Sequence, residues 1–165
     1  MDGAAETYGQ ILALDADLGG SGAAVAGVAH VGLAAVAYER NDMTAARQHT
    51  EEGIDRCRHF VYSQALATGL STLALVNQAE GDAAAARALA DDALQVGPSA
   101  EVVDLLNPVP TQRARILLVQ GDVAPVARWA AGAGSLRTTR SLTFIRRRTW
   151  CSPVSRCRSG VPTTR

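Results

Sequence analysis

Gly81-Asp82-Ala83-Ala84-Ala85-Ala86-Arg87 reads as a helix ending, a cap and the next helix beginning. An aspartate in that place can accept the orphan amide hydrogens of the helix it opens. Near-copies stand at Asn41-Asp42-Met43-Thr44-Ala45-Ala46-Arg47 and at Gly121-Asp122-Val123-Ala124-Pro125-Val126-Ala127-Arg128, so the three aspartates fall 40 residues apart each time. The period extends into the helices that precede the caps. Ala34, Ala74 and Ala114 correspond, as do Val36, Val76 and Ile116. A period near 40 with two helices per unit predicts an α-solenoid, in which each helix pair leaves an apolar face that only its neighbours can cover.

Working outward, Ala4–Leu18 carries Tyr8, Ile11, Leu12, Leu14 and Leu18 at near-helical spacing before the Gly19-Gly20 stop, and Ser21 is placed to cap a helix running to Arg40. The helix opened by Asp42 sets Met43, Ala46, Thr50, Gly53, Ile54, Cys57 and Val61 on one stripe. It also makes Arg47–Glu51 and Glu52–Arg56 i,i+4 pairs. Tyr62–Ala79 follows, then the helix opened by Asp82, with Ala83, Ala86, Leu89, Ala90, Ala93 and Leu94 facing inward and Gly97-Pro98 closing it. A short helix is expected over Ser99–Leu106, an extended break over Asn107-Pro108-Val109-Pro110, and a helix over Thr111–Gln120. Pro125 falls in the first turn of the last helix, where a missing amide costs little.

Composition supports an all-α chain. Aromatics are 4% of the 165 residues, so Ala, Val and Leu must do the packing, and Ala has the best helix propensity. Every one of the 16 basic residues is Arg. All 16 acids lie at or before Asp122. The net charge of zero therefore divides into −8 up to Gly134, with 8 Arg, and +8 over Ser135–Arg165, with the other 8. Cys57, Cys151 and Cys157 are an odd set without zinc or framework spacing, which suits free thiols in a reducing cytoplasm. The acidic N-terminus lacks the basic start of a signal peptide. Gly19–Tyr38 and Phe60–Ala79 carry no formal charge but are too weakly apolar to span a membrane, and read instead as buried inner helices.

No catalytic constellation stands out in the sequence. There is no GxxxxGK[ST] run and no Lys to hold a phosphate, no HExxH pattern, and no Ser or Cys with a base at a recognisable spacing. Asp91-Asp92 and Glu51-Glu52 are adjacent pairs that point apart on a helix. His30, among Ala, Val and Gly, reads as a packed core or inter-repeat histidine. The expectation is a protein that is not an enzyme and uses neither cofactor nor metal. Two polar residues on inner helices stand as candidates for binding an effector or partner. Asn77 takes the offset position of Ala37 and Leu117, and Tyr38 that of Gln78 and Leu118, where they could line a concave surface. The competing reading is a satisfied inter-helix hydrogen bond.

His30-Val31-Gly32-Leu33, Tyr38-Glu39-Arg40-Asn41-Asp42, Asn107-Pro108-Val109-Pro110 and Arg113-Ala114-Arg115…Gln120-Gly121-Asp122…Ala127-Arg128-Trp129 together resemble the tetratricopeptide-like sensor region of large ATP-dependent LuxR-type transcriptional regulators, the maltose-activator-like group. The resemblance runs from about Ala4 to Gly134. It implies a bacterial protein whose repeats bind an inducer or partner protein and gate assembly of a DNA-binding form. In such regulators a P-loop ATPase precedes the repeats and a helix-turn-helix follows, and neither has a counterpart here. DNA would then be reached only through domains of a full-length relative.

Ser135–Arg165 has no helical period and includes Arg146-Arg147-Arg148 and Trp150. It reads as a disordered tail, as a nucleic-acid-binding arm, or as an out-of-frame continuation. Shifting the frame with GC-rich codons permits a family-like sequence with a Pro-Asp at Pro162/Thr163, about 40 residues after Asp122, where a fourth cap is due. The expected architecture is a tetratricopeptide-like right-handed α-solenoid of about three helix pairs over 4–134 with a disordered basic tail over 135–165. The expected role is a truncated sensor and interaction region of a LuxR-type regulator, cytoplasmic, with a free-standing protein-binding adaptor as the alternative.

Overall fold

Three helix ends at Arg40, Glu80 and Gln120 are built by the same backbone device. In the computed structural model, which describes residues 2–60, 63–97 and 108–133, Asn41, Gly81 and Gly121 each take a left-handed conformation, with φ of 62°, 97° and 81°. That turn lets Asp42, Asp82 and Asp122 donate their amide hydrogens back to Ala37, Asn77 and Leu117 at 3.0, 2.9 and 2.9 Å. It is the Schellman closure, which satisfies carbonyls that the ending helix leaves orphaned. Gly19 and Gly20 close the first helix in the same way, with Gly20 donating to the Asp15 carbonyl at 2.8 Å.

Seven helices result among the described residues: α1 Asp2–Asp17, α2 Ala23–Glu39, α3 Met43–His59, α4 Ser63–Glu80, α5 Ala83–Val96, α6 Val109–Val119 and α7 Val123–Ala133. The chain divides into two units, Met1–Val126 and Ala127–Arg165. Of the second, the described residues are the last turns of α7. In the first, α2 pairs with α3 and α4 with α5. The inner helices α2, α4 and α6 lie side by side, α2 against α4 and α4 against α6, whereas α3 and α5 each touch only inner helices. This is the all-α, tetratricopeptide-like solenoid arrangement that the 40-residue period predicts.

Small residues at fixed spacing allow the close approach. Ala46, Thr50 and Gly53 on α3 have Ala86, Ala90 and Ala93 as counterparts on α5, and all six are buried, as is Cys57. Ala34, Ala74 and Ala114 of the inner helices are at most 5% exposed. One apolar cluster runs through Tyr38, Ala46, Val76, Ala90 and Ile116, so it joins α2 to α6 through every helix between. A second, of Ile54, Ala67, Leu70, Ala93 and Val109, continues it.

Several local expectations are corrected. Ser21 does not cap α2. Gly22 holds that position without a side-chain bond, and its amide donates instead to the buried Asp15 carboxylate at 2.9 Å. Ala83 and Leu94 do not face inward: Ala83 is exposed and Leu94 is 40% exposed, because the inward stripe of α5 is carried by Ala86, Ala90 and Ala93. Val109-Pro110 is helical rather than extended. Pro108 is the N-cap of α6 and Pro110 lies in its first turn, where neither missing amide breaks a helical bond. The Ser99–Leu106 helix, Val61, Asn107 and the tail fall outside the described residues.

Asp42 and Asp82 cap as expected, their carboxylates accepting from Ala45 and Ala85 amides at 3.0 Å. At the third boundary the corresponding residue is Pro125, which has no N–H. The Asp122 carboxylate instead accepts from Arg87 Nη2 at 2.9 Å. Asp82→Ala should therefore lower stability by about 1 kcal/mol through the lost cap. Asp122→Ala should cost less, since a half-exposed ion pair contributes about 0–1 kcal/mol. Urea midpoints of the two variants check the order.

Candidate functional site

Among the described residues, the inner-helix face carries much of the polar contact between repeats. Arg47 and Arg87 hold the same place in their repeats, and each reaches 33 residues ahead to the end of the next inner helix. Arg47 Nη2 donates to Asn77 Oδ1 at 2.7 Å and to Glu80. Arg87 Nε donates to Gln120 Oε1 at 3.1 Å while its Nη2 holds Asp122. The amide of Gln120 continues the ladder to Gln78 Oε1 at 2.7 Å and to the Ala83 carbonyl at 2.9 Å. Further along the same helices Ser71 donates to Gln112, and Arg113 Nε donates to Asp91 Oδ1 at 2.6 Å. The Arg47–Glu51 and Arg56–Glu52 pairs read from spacing are formed at 3.5 and 2.8 Å, yet both arginines also reach another helix. The bond to Glu80 holds the Arg47 guanidinium above its ordinary range.

Both candidate residues lie in this face. Asn77 is buried at 9% exposure, with its carbonyl oxygen held by Arg47. Tyr38 is 7% exposed in the main cluster, and the guanidinium of Arg115, from α6, stands 5.9 Å from its ring centroid. That cation–π approach spans the first and third inner helices. Burial pushes the Tyr38 phenol up, and Arg115 opposes that shift. Arg115 itself is exposed.

A second polar cluster lies where α2 crosses α3, and spacing alone did not reveal it. His30 Nδ1 and His49 Nδ1 stand 3.0 Å apart, with ring centroids at 5.3 Å and planes tilted by 42°. Arg56 lies in the same cluster, donating to Asp15 Oδ2 of α1 at 3.3 Å and to Glu52 Oε1 at 2.8 Å. Burial first, then Arg56 and His49, hold His30 below the ordinary histidine value, against the opposing pull of Glu52 and Asp15. Cys57, fully buried and free, has its thiol pushed up by burial, which does not suit a nucleophile. Among the described residues no three His, Cys, Asp or Glu side chains converge as metal ligands. No described helix is long and apolar enough to cross a membrane.

Paired helices on a 40-residue period, an inner row of touching helices and arginine ties from one repeat to the next define a tetratricopeptide-like repeat protein. The profile of the MalT-like TPR region matches residues 1–151, and the chain belongs to that family. The matched range extends past the 4–134 span of the resemblance into the basic segment. Comparison with curated proteins and with solved structures gives no significant match.

Proposed function

We infer that this chain acts as the sensor and interaction region of a LuxR-type transcriptional regulator, taking an effector or partner protein on the face formed by α2, α4 and α6. Family membership supports the class of role. The observation that carries the location is the exposed Arg115 guanidinium held over Tyr38, which links the first and third inner helices. A ligand with an acidic or carbonyl group would find a preplaced donor there, beside a face whose other polar groups are tied together. The Arg47–Asn77 contact lies in the same ladder, so a ligand that engages Asn77 exchanges one inter-repeat bond for another. DNA contact and ATP hydrolysis belong to other domains of a full-length relative.

The first test is the coding DNA on either side. A P-loop sequence upstream and a helix-turn-helix downstream support a regulator, and their absence favours the free-standing adaptor. The second is a thermal-shift screen of the chain against metabolite and peptide sets. For any ligand that raises the melting temperature, Arg115→Ala should weaken binding about tenfold, the equivalent of one hydrogen bond to a charged group. The unliganded chain should lose no more than about 1 kcal/mol, the worth of an exposed cation–π contact.

A further inference from the structure

At the 40-residue offset, His30 corresponds to Leu70, His49 to Leu89 and Arg56 to Val96. Leu70 is 5% exposed, and Leu89 and Val96 pack against its apolar cluster. The same helix-pair crossing is therefore made of hydrocarbon in one repeat and of titratable groups in the repeat before it. The frame does not need the histidines, so their contact adds a property that the leucines cannot supply.

We propose that His30 and His49 form a proton-operated latch between α2 and α3, closed at neutral pH and opened by acid. With one proton between the two facing nitrogens, the Nδ1–H of one ring donates to the bare Nδ1 of the other at 3.0 Å. A proton added at the bare facing Nδ1 sets N–H against N–H and removes the acceptor, and once both rings are imidazolium two cations stand side by side with no acceptor between them. The groups facing His30 are His49, Glu52 and Arg56 from α3 and Asp15 from α1. The neighbouring α4 has Glu80 as its only titratable residue, at its far C-terminal end. Asp15 and Glu52 offset further protonation only in part, because Arg56 is hydrogen-bonded to both and brings a positive charge of its own.

The direction of the pH effect follows from proton binding. An unfolded histidine titrates near about 6.5, and His30 in the fold is held below its ordinary value. As pH falls through the unfolded value, the unfolded chain takes up protons that the closed crossing resists. Stability is thus full above the unfolded value and declines down through the lowered folded one. Carboxylates titrate near about 4, so a window from pH 8 to pH 5 isolates the histidines.

Thermal melts of the full chain and the imidazole C2–H resonances, both followed from pH 8 to 5, test the latch. The parent should lose several degrees across the window, with His30 titrating below the ordinary histidine range. The double variant H30L/H49L transplants the pair found at the second crossing, so it should fold and its acid decline should flatten. H59Q, which alters the exposed third histidine, should decline as the parent does. An equal decline in H30L/H49L and the parent, or a His30 resonance titrating at the ordinary value, overturns the proposal. Should H30L/H49L fail to fold, the His30 titration in the parent decides alone.

Discussion

Gly53→Val is expected to lower the stability of the chain by about 3 kcal/mol, at the upper end of what overpacking a close-packed site costs. A Cβ built at Gly53 meets Val31 Cγ2 at 2.8 Å, the Val31 backbone nitrogen at 3.0 Å and the Gly27 carbonyl oxygen at 3.2 Å. The first of these can rotate away, but the other two are the backbone of α2 and can give way only if the whole helix moves. Valine adds two methyl groups beyond that Cβ and a loss of rotamer freedom in the helix. Gly9→Ala makes the opposite prediction. Its Cβ meets nothing within 4 Å, so the gain in helix propensity should stabilise by up to about 1 kcal/mol. Urea denaturation of the two variants measures both signs. A Gly53→Val midpoint equal to the parent's would show that α2 and α3 do not approach as closely as described.

Ile116→Ala should cost about 2–5 kcal/mol, the range for removing a large buried aliphatic side chain and leaving its cavity. Ile116 is 1% exposed and belongs to the cluster that runs from Tyr38 of α2 through Val76 and Ala90. A neighbour on the same helix supplies the control: Val119 is 65% exposed, and its truncation to Ala should stay within about 0.5 kcal/mol. The contrast tests more than burial. If α6 were a loosely attached third repeat, Ile116→Ala would leave the unfolding of α2–α5 in place, and amide exchange there would be unchanged. Loss of protection at Val36 and Val76 together with α6 is the outcome that a continuous core requires, since coupled repeats share their interface energy.

Much of the inner-helix face was beyond sequence reasoning, although its ingredients were visible. The 40-residue alignment already showed two leucines at 70 and 89 where histidines stand at 30 and 49. A hairpin pivoting on Asp42 brings Gly27 opposite Cys57 and Val31 opposite Gly53, so His30 falls opposite the middle of α3. Joint replacement between repeats was the available signal for the pair. Which rotamers converge was not, because half-buried imidazoles choose among partners that only the packed helices position. Asn77 and Tyr38 were singled out by their offset positions, but nothing local indicates that Arg47 reaches one and Arg115 the other.

By itself, the sequence determined the period, the helix boundaries at Asp42, Asp82 and Asp122, the small-residue stripes and hence the all-α repeat class. These depend on backbone groups and side chains within about five positions of one another, where a left-handed turn, a capping carboxylate or an alanine acts in the same way in any context. Tertiary structure alone decided the long-range partners: Arg87 on Asp122, Arg115 over Tyr38 and His30 against His49. Those contacts join residues 19 to 77 positions apart through long or rotatable side chains. Their geometry follows from how one helix settles on the next, which no single helix encodes.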